Sequence, residues 1–236
     1  MTRWYEGGPA RAPRLSAGRA AVCLLVLGTS ACGASGDGRG GNGALPEDPS
    51  ARYAAVEQRL LDAESVSLAF HVTSEGAFTA DLEGTLHTSA DRTELAATGT
   101  FGGGPVDVRL LADGDAYRFG SATAPTNATR PAALEEALLV GLMRMGVLHN
   151  LAMLTAGQGA DHAEGGVREW VVVDGLTDAA TGDGVRFDIT VAATPSGSAT
   201  LLLDERGLPR ERTQVVQFPN GEMRVVERYT RMETTG

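Results

Sequence analysis

Histidine and lysine are the residue types that metal binding or catalysis most often uses, and this sequence contains only the first of them. The four histidines do not have the spacing of zinc ligands; they are His71, His87, His149 and His162. The sequence contains no lysine and no Gly-x-Ser-x-Gly motif, which excludes a P-loop lysine, a Schiff base and a hydrolase nucleophile elbow. We therefore predict that the protein is not an enzyme and that it holds no metal and no cofactor.

Cys32 is the residue with the most distinctive chemistry. Residues 1–19 carry four arginines, residues 20–28 form a short apolar run, and the small residues 29–31 precede Cys32. This order is typical of a secretory signal peptide, and the run is shorter than the roughly 20 apolar residues that span a membrane. The segment resembles a lipobox, with Thr29 where lipoboxes prefer leucine. The resemblance implies cleavage before Cys32 and attachment of diacylglycerol and palmitate to it.

Two other interpretations of this leader stay open. It could be an ordinary signal peptide that ends near a cysteine, or an uncleaved anchor. Residues 33–50 are rich in glycine, proline and polar side chains, so we predict a flexible tether there. The expected organisation is a signal peptide over residues 1–31, a lipidated cysteine and tether over 32–50, and one folded domain over 51–236.

The charge of the chain limits its partners and its location. The formal net charge is −10, and removal of residues 1–31 leaves 16 arginines against 29 acidic residues, near −13. Such a domain repels phosphate backbones and anionic lipid surfaces, which argues against nucleic-acid binding and against simple electrostatic adhesion to membranes. Together with the leader, this predicts a bacterial envelope protein that a lipid anchors to the membrane, with its domain outside the cytoplasm.

The folded part is predicted to be one short helix followed by many strands. Ser50 is a plausible N-cap for an amphipathic helix over residues 51–63. Alternation of apolar and polar residues then predicts roughly ten half-buried antiparallel strands joined by short turns. A sheet of that size must curl, and its concave face must be filled.

An unusually apolar helical segment interrupts the strands from Leu134 to Leu154. Thr129 is a candidate N-cap, and Pro131 suits a first turn. Gly141 and Gly146 are candidate positions for a bend or a break. Two interpretations are open: a buried core helix, which the pattern favours, or a helix that caps an apolar cavity.

The order of these elements resembles a known superfamily. The run Leu201-Leu202-Leu203-Asp204-Glu205-Arg206-Gly207-Leu208-Pro209 and the terminal hairpin ending in Glu227-Arg228-Tyr229-Thr230 are similar to LolA/LolB-like periplasmic lipoprotein carriers, including LprG/LppX-like lipoproteins. The resemblance covers residues 51–232 as a pattern and about 200–230 as recognisable sequence. It implies an α+β fold, in which a curled antiparallel sheet forms an unclosed β-barrel with a helical lid over an apolar concave face. It brings no catalytic residues.

The function that this resemblance implies is binding or transfer of lipid or acyl chains by an envelope lipoprotein. The alternative is a non-transporting interaction or sensor module of the same fold. Expected partners are lipid or acyl chains and the membrane reached through the N-terminal lipid anchor, with a protein partner left open. The candidate cavity residues are Phe70, Leu82, Leu86, Leu134, Leu138, Leu142, Met145, Leu148, Leu151, Phe187 and Ile189.

Overall fold

The computed structural model describes residues 44–159, 166–219 and 221–236. The predictions for the signal peptide, for Cys32, for the tether up to residue 43 and for His162 lie outside these residues. The helices are α1 (Pro49–Asp62), α2 (Leu134–Met145), α3 (Val147–Thr155) and α4 (Val167–Trp170). The strands are β1 (Ser65–Gly76), β2 (Ala80–Ser89), β3 (Arg92–Phe101), β4 (Gly104–Asp113), β5 (Ala116–Ser121), β6 (Ala124–Thr129), β7 (Val171–Asp178), β8 (Gly184–Val191), β9 (Thr194–Leu203), β10 (Pro209–Phe218) and β11 (Gly221–Thr235).

All eleven strands belong to one antiparallel sheet that is built from two meanders. The N-terminal meander runs from β1 to β6 and the C-terminal meander from β7 to β11, and the two join where β1 pairs with β11. β6 and β7 are the outer strands, so the sheet does not close into a barrel. The predicted α+β fold with a curled, unclosed antiparallel sheet is confirmed, with eleven strands where the sequence predicted roughly ten.

The N-cap of helix α1 lies two residues before the predicted one. Asp48, not Ser50, caps it, because the Asp48 carboxylate accepts a hydrogen bond of 2.8 Å from the Ala51 amide. Pro49 follows as the first helical residue, where its missing N–H leaves no donor unsatisfied. Residues 44–48, assigned to the tether from the sequence, lie against the domain here, and Leu45 is partly buried against the core.

Helix α2 begins at Leu134, as predicted, but without the predicted N-cap. Thr129 is the last residue of β6 rather than an N-cap, and Ala133 precedes α2 without any side-chain cap. Glu135 and Glu136 occupy the first turn instead, where carboxylates interact favourably with the helix dipole.

The break between α2 and α3 falls at Gly146 and bends the two helices by 118°. Gly146 has φ 87° and ψ 165°, a conformation that is essentially restricted to glycine. Gly141 lies inside α2 without breaking it, and a Cβ there would come within 2.9 Å of the Asn150 side chain. No single helix of the described chain is long and apolar enough to cross a membrane, and α2 and α3 meet that criterion only as a bent pair.

The core lies between the sheet and the first three helices. One cluster of buried residues includes the inward side chains of both meanders and the apolar faces of α1, α2 and α3. Helix α3 packs on β4 and β5, whereas α2 contacts α1 and β7. The helices therefore cover the sheet as a layer that changes direction at Gly146.

Candidate functional site

The predicted cavity residues meet in the layer between the sheet and the bent helices. All eleven contribute to one hydrophobic cluster; ten of them are buried and Met145 is half-buried. Phe70, Leu82 and Leu86 lie on β1 and β2, and Phe187 and Ile189 lie on β8. The remaining six lie on α2 and α3. In this arrangement, the leucines of the helices occupy the concave face of the sheet.

The same layer contains charged and polar side chains that the sequence analysis did not find. Arg212 and Glu227 face each other in register across β10 and β11, and their exposed fractions are 0% and 1%. We call Tyr53, Arg212, Gln214, Glu227 and Tyr229 the buried polar cluster. Burial of charges is costly unless hydrogen bonds replace their water, so the partners of each member matter.

Glu227 binds the beginning of α3. Its carboxylate oxygens accept hydrogen bonds of 2.9 Å from the backbone amides of Val147 and Leu148, and a third from the Tyr229 hydroxyl. The first amides of a helix have no partners within the helix and carry the positive end of its dipole. Glu227 therefore supplies both the acceptors and the negative charge that the start of α3 needs.

Arg212 binds the end of α2. One terminal guanidinium nitrogen donates a hydrogen bond of 2.8 Å to the backbone oxygen of Arg144, in the last turn of α2, and the other donates to the Gln214 side chain. The guanidinium carbon lies 5.6 Å from the centre of the Phe187 ring. The last carbonyls of a helix carry the negative end of its dipole, so the two charges of the pair match the two helix ends at the break.

Two polar atoms of the cluster have no hydrogen-bond partner. They are the Tyr53 hydroxyl and Nε of Arg212, and both residues contact Phe187, with the Tyr53 and Phe187 ring centres 5.0 Å apart. Burial, reinforced by the charge of Glu57, raises the pKa of Tyr53, and burial together with the charge of Glu227 raises the pKa of Tyr229. Both hydroxyls therefore stay protonated at neutral pH and can donate.

Ion pairs that lie closer to the surface than the buried polar cluster attach both ends of α2 to the domain. At its end, Arg144 pairs with Glu57 of α1 at 3.0 Å and donates to the Val171 backbone oxygen at 2.7 Å. Near its start, Glu135 pairs with Arg130 at 2.7 Å and accepts a hydrogen bond from the Thr93 hydroxyl of β3. Helix α2 therefore extends from the N-terminal meander to the C-terminal one.

The sequence carried a signal for one of the two buried charges. Glu227 shares an inward-facing row with Met223, Val225 and Tyr229, so a carboxylate stands where the period of β11 calls for an apolar side chain. Arg212 had no such signal, because polar residues lie on both faces of β10 around it.

Two surface clefts of the described domain lie beside α1. A cleft of about 680 Å³ lies beside Arg52 and the turn at Asp204, and a neighbouring one of about 340 Å³ lies beside Arg59 and Arg206. None of the predicted cavity residues lines either cleft. Within the described ranges, no three His, Cys, Asp or Glu side chains are grouped so as to hold a metal ion.

Some solved structures are similar to this one, while no family model and no curated protein matches the sequence. A LolA superfamily protein from Nitrosomonas europaea is 8% identical, with 80% of this chain and 94% of that chain covered and a TM-score of 0.34. LprF from Mycobacterium bovis is 10% identical, with 80% and 95% covered and a TM-score of 0.31. The Pseudomonas aeruginosa MucA/MucB complex gives 14% identity, 78% and 57% covered, and a TM-score of 0.36.

These matches agree with the predicted resemblance to LolA/LolB-like proteins. All three TM-scores are below 0.5, so the function of this chain has to follow from its own side chains.

Proposed function

We propose that this protein is an envelope lipoprotein that binds or transfers lipid acyl chains on the concave face of its sheet, beneath a lid formed by α2 and α3. The observation that supports the proposal is the unusually apolar surface of α2 and α3. Helix α2 has eight consecutive or near-consecutive buried positions, far more than one amphipathic face provides, and α3 continues the apolar surface beyond the break.

An acyl chain is a suitable replacement for these leucines. Hydrophobic burial has no directional requirement, so methylene groups can take the place of leucine side chains on the sheet with little net loss of buried apolar area. Each buried methylene contributes ~0.8 kcal/mol, so a chain of about 16 carbons brings ample free energy to displace the lid.

The lid is bounded by residues that can absorb a change of backbone direction. Gly146 separates its two helices, and Gly157, with φ 72°, lies just after the C-cap of α3. Hinges commonly consist of a few residues at the ends of elements. Movement of α3 away from β4 and β5 would uncover the apolar face of the N-terminal meander.

The anchor of the protein is proposed to be a diacylglycerol and an acyl chain on Cys32, which would hold the domain at the outer face of a bacterial membrane. The support is the order of charged, apolar and small residues before Cys32. In Cys32→Ser, the protein is expected to leave the membrane fraction, whereas Cys23→Ser, which alters the leader only, is the matched control and should stay membrane-bound. Membrane retention of Cys32→Ser would place the anchor elsewhere.

The direct test of ligand binding uses full-length Cys32→Ser protein, which is free of the lipid that the proposal places on the cysteine. Native mass spectrometry is expected to detect a co-purifying lipid, and a fluorescent acyl probe is expected to bind. Purification without lipid, together with no uptake of the probe, would overturn the proposal.

Substitution of Leu142 distinguishes a movable lid from helices that are permanently packed in the core. Leu142 is buried on α2, so Leu142→Ala is expected to lower the free energy of unfolding by about 2–5 kcal/mol. If the closed lid competes with the ligand, the same change raises the affinity for the acyl probe, because the open state becomes more populated. Leu60→Ala on α1 is the matched control: it should destabilise similarly without raising the affinity.

A second candidate function is a non-transporting interaction or sensor module. The observation that favours it is that the leucines of α2 and α3 already occupy the concave face. In that case Leu142→Ala and Leu142→Trp both lose stability, about 1–3 kcal/mol for the overpacking Trp, and neither binds the acyl probe.

A further inference from the structure

We infer that the buried polar cluster is the site for the polar head of the bound lipid, and that this head is uncharged and carries hydroxyl groups, as the glycerol of a monoacylglycerol does. The inference rests on the proposed function, because the cluster becomes accessible only when the lid is displaced.

The first observation is the pair of unpartnered donors. The Tyr53 hydroxyl and Nε of Arg212 are buried beside Phe187 and lack a hydrogen-bond partner in the closed arrangement. A buried donor without a partner destabilises the folded state, so the closed form is penalised at this point. A ligand oxygen that reached both donors would remove the penalty.

The second observation is the set of groups that the lid presents to the cluster. The lid gives Glu227 two N–H donors, from Val147 and Leu148, and it gives Arg212 one acceptor, the Arg144 carbonyl. A ligand that displaces the lid leaves these buried charges unsatisfied unless it replaces both kinds of group. Hydroxyls can donate to Glu227, and a hydroxyl or ester oxygen can accept from Arg212.

The charges decide between kinds of head group. Once the lid leaves, one guanidinium and one carboxylate remain in the cluster, since Tyr53 and Tyr229 stay protonated. A carboxylate or phosphate head would gain Arg212 but meet the like charge of Glu227, to which an ionised oxygen cannot donate. An uncharged head with several hydroxyls satisfies both members of the pair.

The test compares three ligands with the same acyl chain on full-length Cys32→Ser protein: monopalmitoylglycerol, methyl palmitate and palmitate. Each displaces a bound fluorescent acyl probe, and the dissociation constants are compared. The wild-type cluster is expected to bind monopalmitoylglycerol most tightly. Tyr53→Phe removes only the unpartnered hydroxyl and is expected to weaken monopalmitoylglycerol by roughly 3- to 10-fold while leaving methyl palmitate unchanged.

The control is Tyr117→Phe, which removes a buried tyrosine hydroxyl from β5 in the other meander, away from the buried polar cluster. Any change that it causes should be the same for all three ligands, because they share one acyl chain. Thermal unfolding without ligand checks the closed form, in which Tyr53→Phe should be at least as stable as the wild type because it removes a buried donor that has no partner. Equal binding of palmitate and monopalmitoylglycerol, or an equal effect of Tyr53→Phe on all three ligands, would overturn the head-group site alone. Failure of every ligand and of the probe to bind would overturn the proposed function and this inference with it.

Discussion

The two meanders of the sheet hold the bent helices in different ways. The N-terminal meander, on which α3 packs, buries apolar side chains such as Leu95 and Leu110. Its buried polar residues are two threonines, of which Thr93 donates a hydrogen bond to Glu135 near the start of α2. The C-terminal meander buries Arg212, Gln214 and Glu227, two of which bind helix ends. Apolar contacts tolerate exchange of their partner, whereas hydrogen bonds to a helix end specify a position. The first meander can therefore change what it packs against, while the second fixes where the helices break.

Removal of the Glu227 side chain is the strictest test of this difference between the two meanders. Glu227→Ala leaves the start of α3 without acceptors and Arg212 without a compensating charge, so we expect a loss of about 3–5 kcal/mol in the free energy of unfolding. Denaturant titration measures it. The matched control is Glu211→Ala on the same sheet, whose partially exposed carboxylate pairs with Arg228 at 3.3 Å and should contribute no more than about 1 kcal/mol.

A double variant shows whether the loss belongs to the charge pair. Arg212→Met combined with Glu227→Ala removes the unpaired charge, so it should be more stable than Glu227→Ala alone. If Glu227→Ala costs no more than Glu211→Ala, the carboxylate does not hold α3.

Substitution of Gly146 tests whether the break between α2 and α3 has a fixed position. Gly146→Ala forces a side chain into a glycine conformation and places its Cβ 2.4 Å from a Glu227 oxygen. The expected loss is about 1–3 kcal/mol from the backbone alone, with the displaced carboxylate adding to it. Gly157→Ala, also at positive φ but with open space around its Cβ, should lose less in the same thermal unfolding experiment. Equal losses of stability in the two variants would mean that the Glu227 side chain moves away from the new Cβ without cost.

The apolar meander should respond far more weakly to a change of shape. Leu110 is fully buried on β4 below α3, and Leu110→Met keeps its volume and hydrophobicity. We expect a loss below about 1.5 kcal/mol by denaturant titration. A loss as large as that of Glu227→Ala would show that the N-terminal meander requires its packing as strictly as the C-terminal one. The proposed difference between the two meanders would then be wrong.

The smallest expected effect concerns the turn between β9 and β10. Partial burial opposes ionisation of Asp204, but hydrogen bonds from the Leu208 amide and from Arg206 outweigh it, so its pKa lies below the ordinary 3.8. The lowered pKa stabilises the fold above pH 3.8, and the stabilisation disappears as the pH falls through the folded pKa.

We expect Asp204→Asn to cost about 1 kcal/mol at neutral pH. The difference from the wild type should shrink on acidification, followed by denaturant titration at several pH values. Asp113→Asn, in an exposed turn of the N-terminal meander, is the control and should show little difference at any pH. A difference for Asp204→Asn that does not depend on pH would contradict the role of its charge.

The alternation of apolar and polar residues predicted the sheet because period two reports burial directly, as in β1 and β2. Local spacing could not decide between Gly141 and Gly146 as the break, since the choice depends on Asn150 and Glu227, which approach from other elements. The cap of α1 was misplaced because Ser50 and Asp48 both have the right chemistry. Glu227 was visible as a carboxylate in an apolar row, but its partners lie about 80 residues away and only the fold brings them together.

The pairing of β1 with β11 determines when the sheet can become complete during folding. The N-terminal meander has all its own strands once residue 129 has been synthesised, yet β1 waits for a partner strand that ends at Thr235. Until then, β1 is an unpaired edge open to pairing with other chains. Closure across such a long separation in sequence is slow. Before β11 pairs, the two meanders are therefore separate half-sheets, and a chain that lacked β11 would keep β1 as an exposed edge.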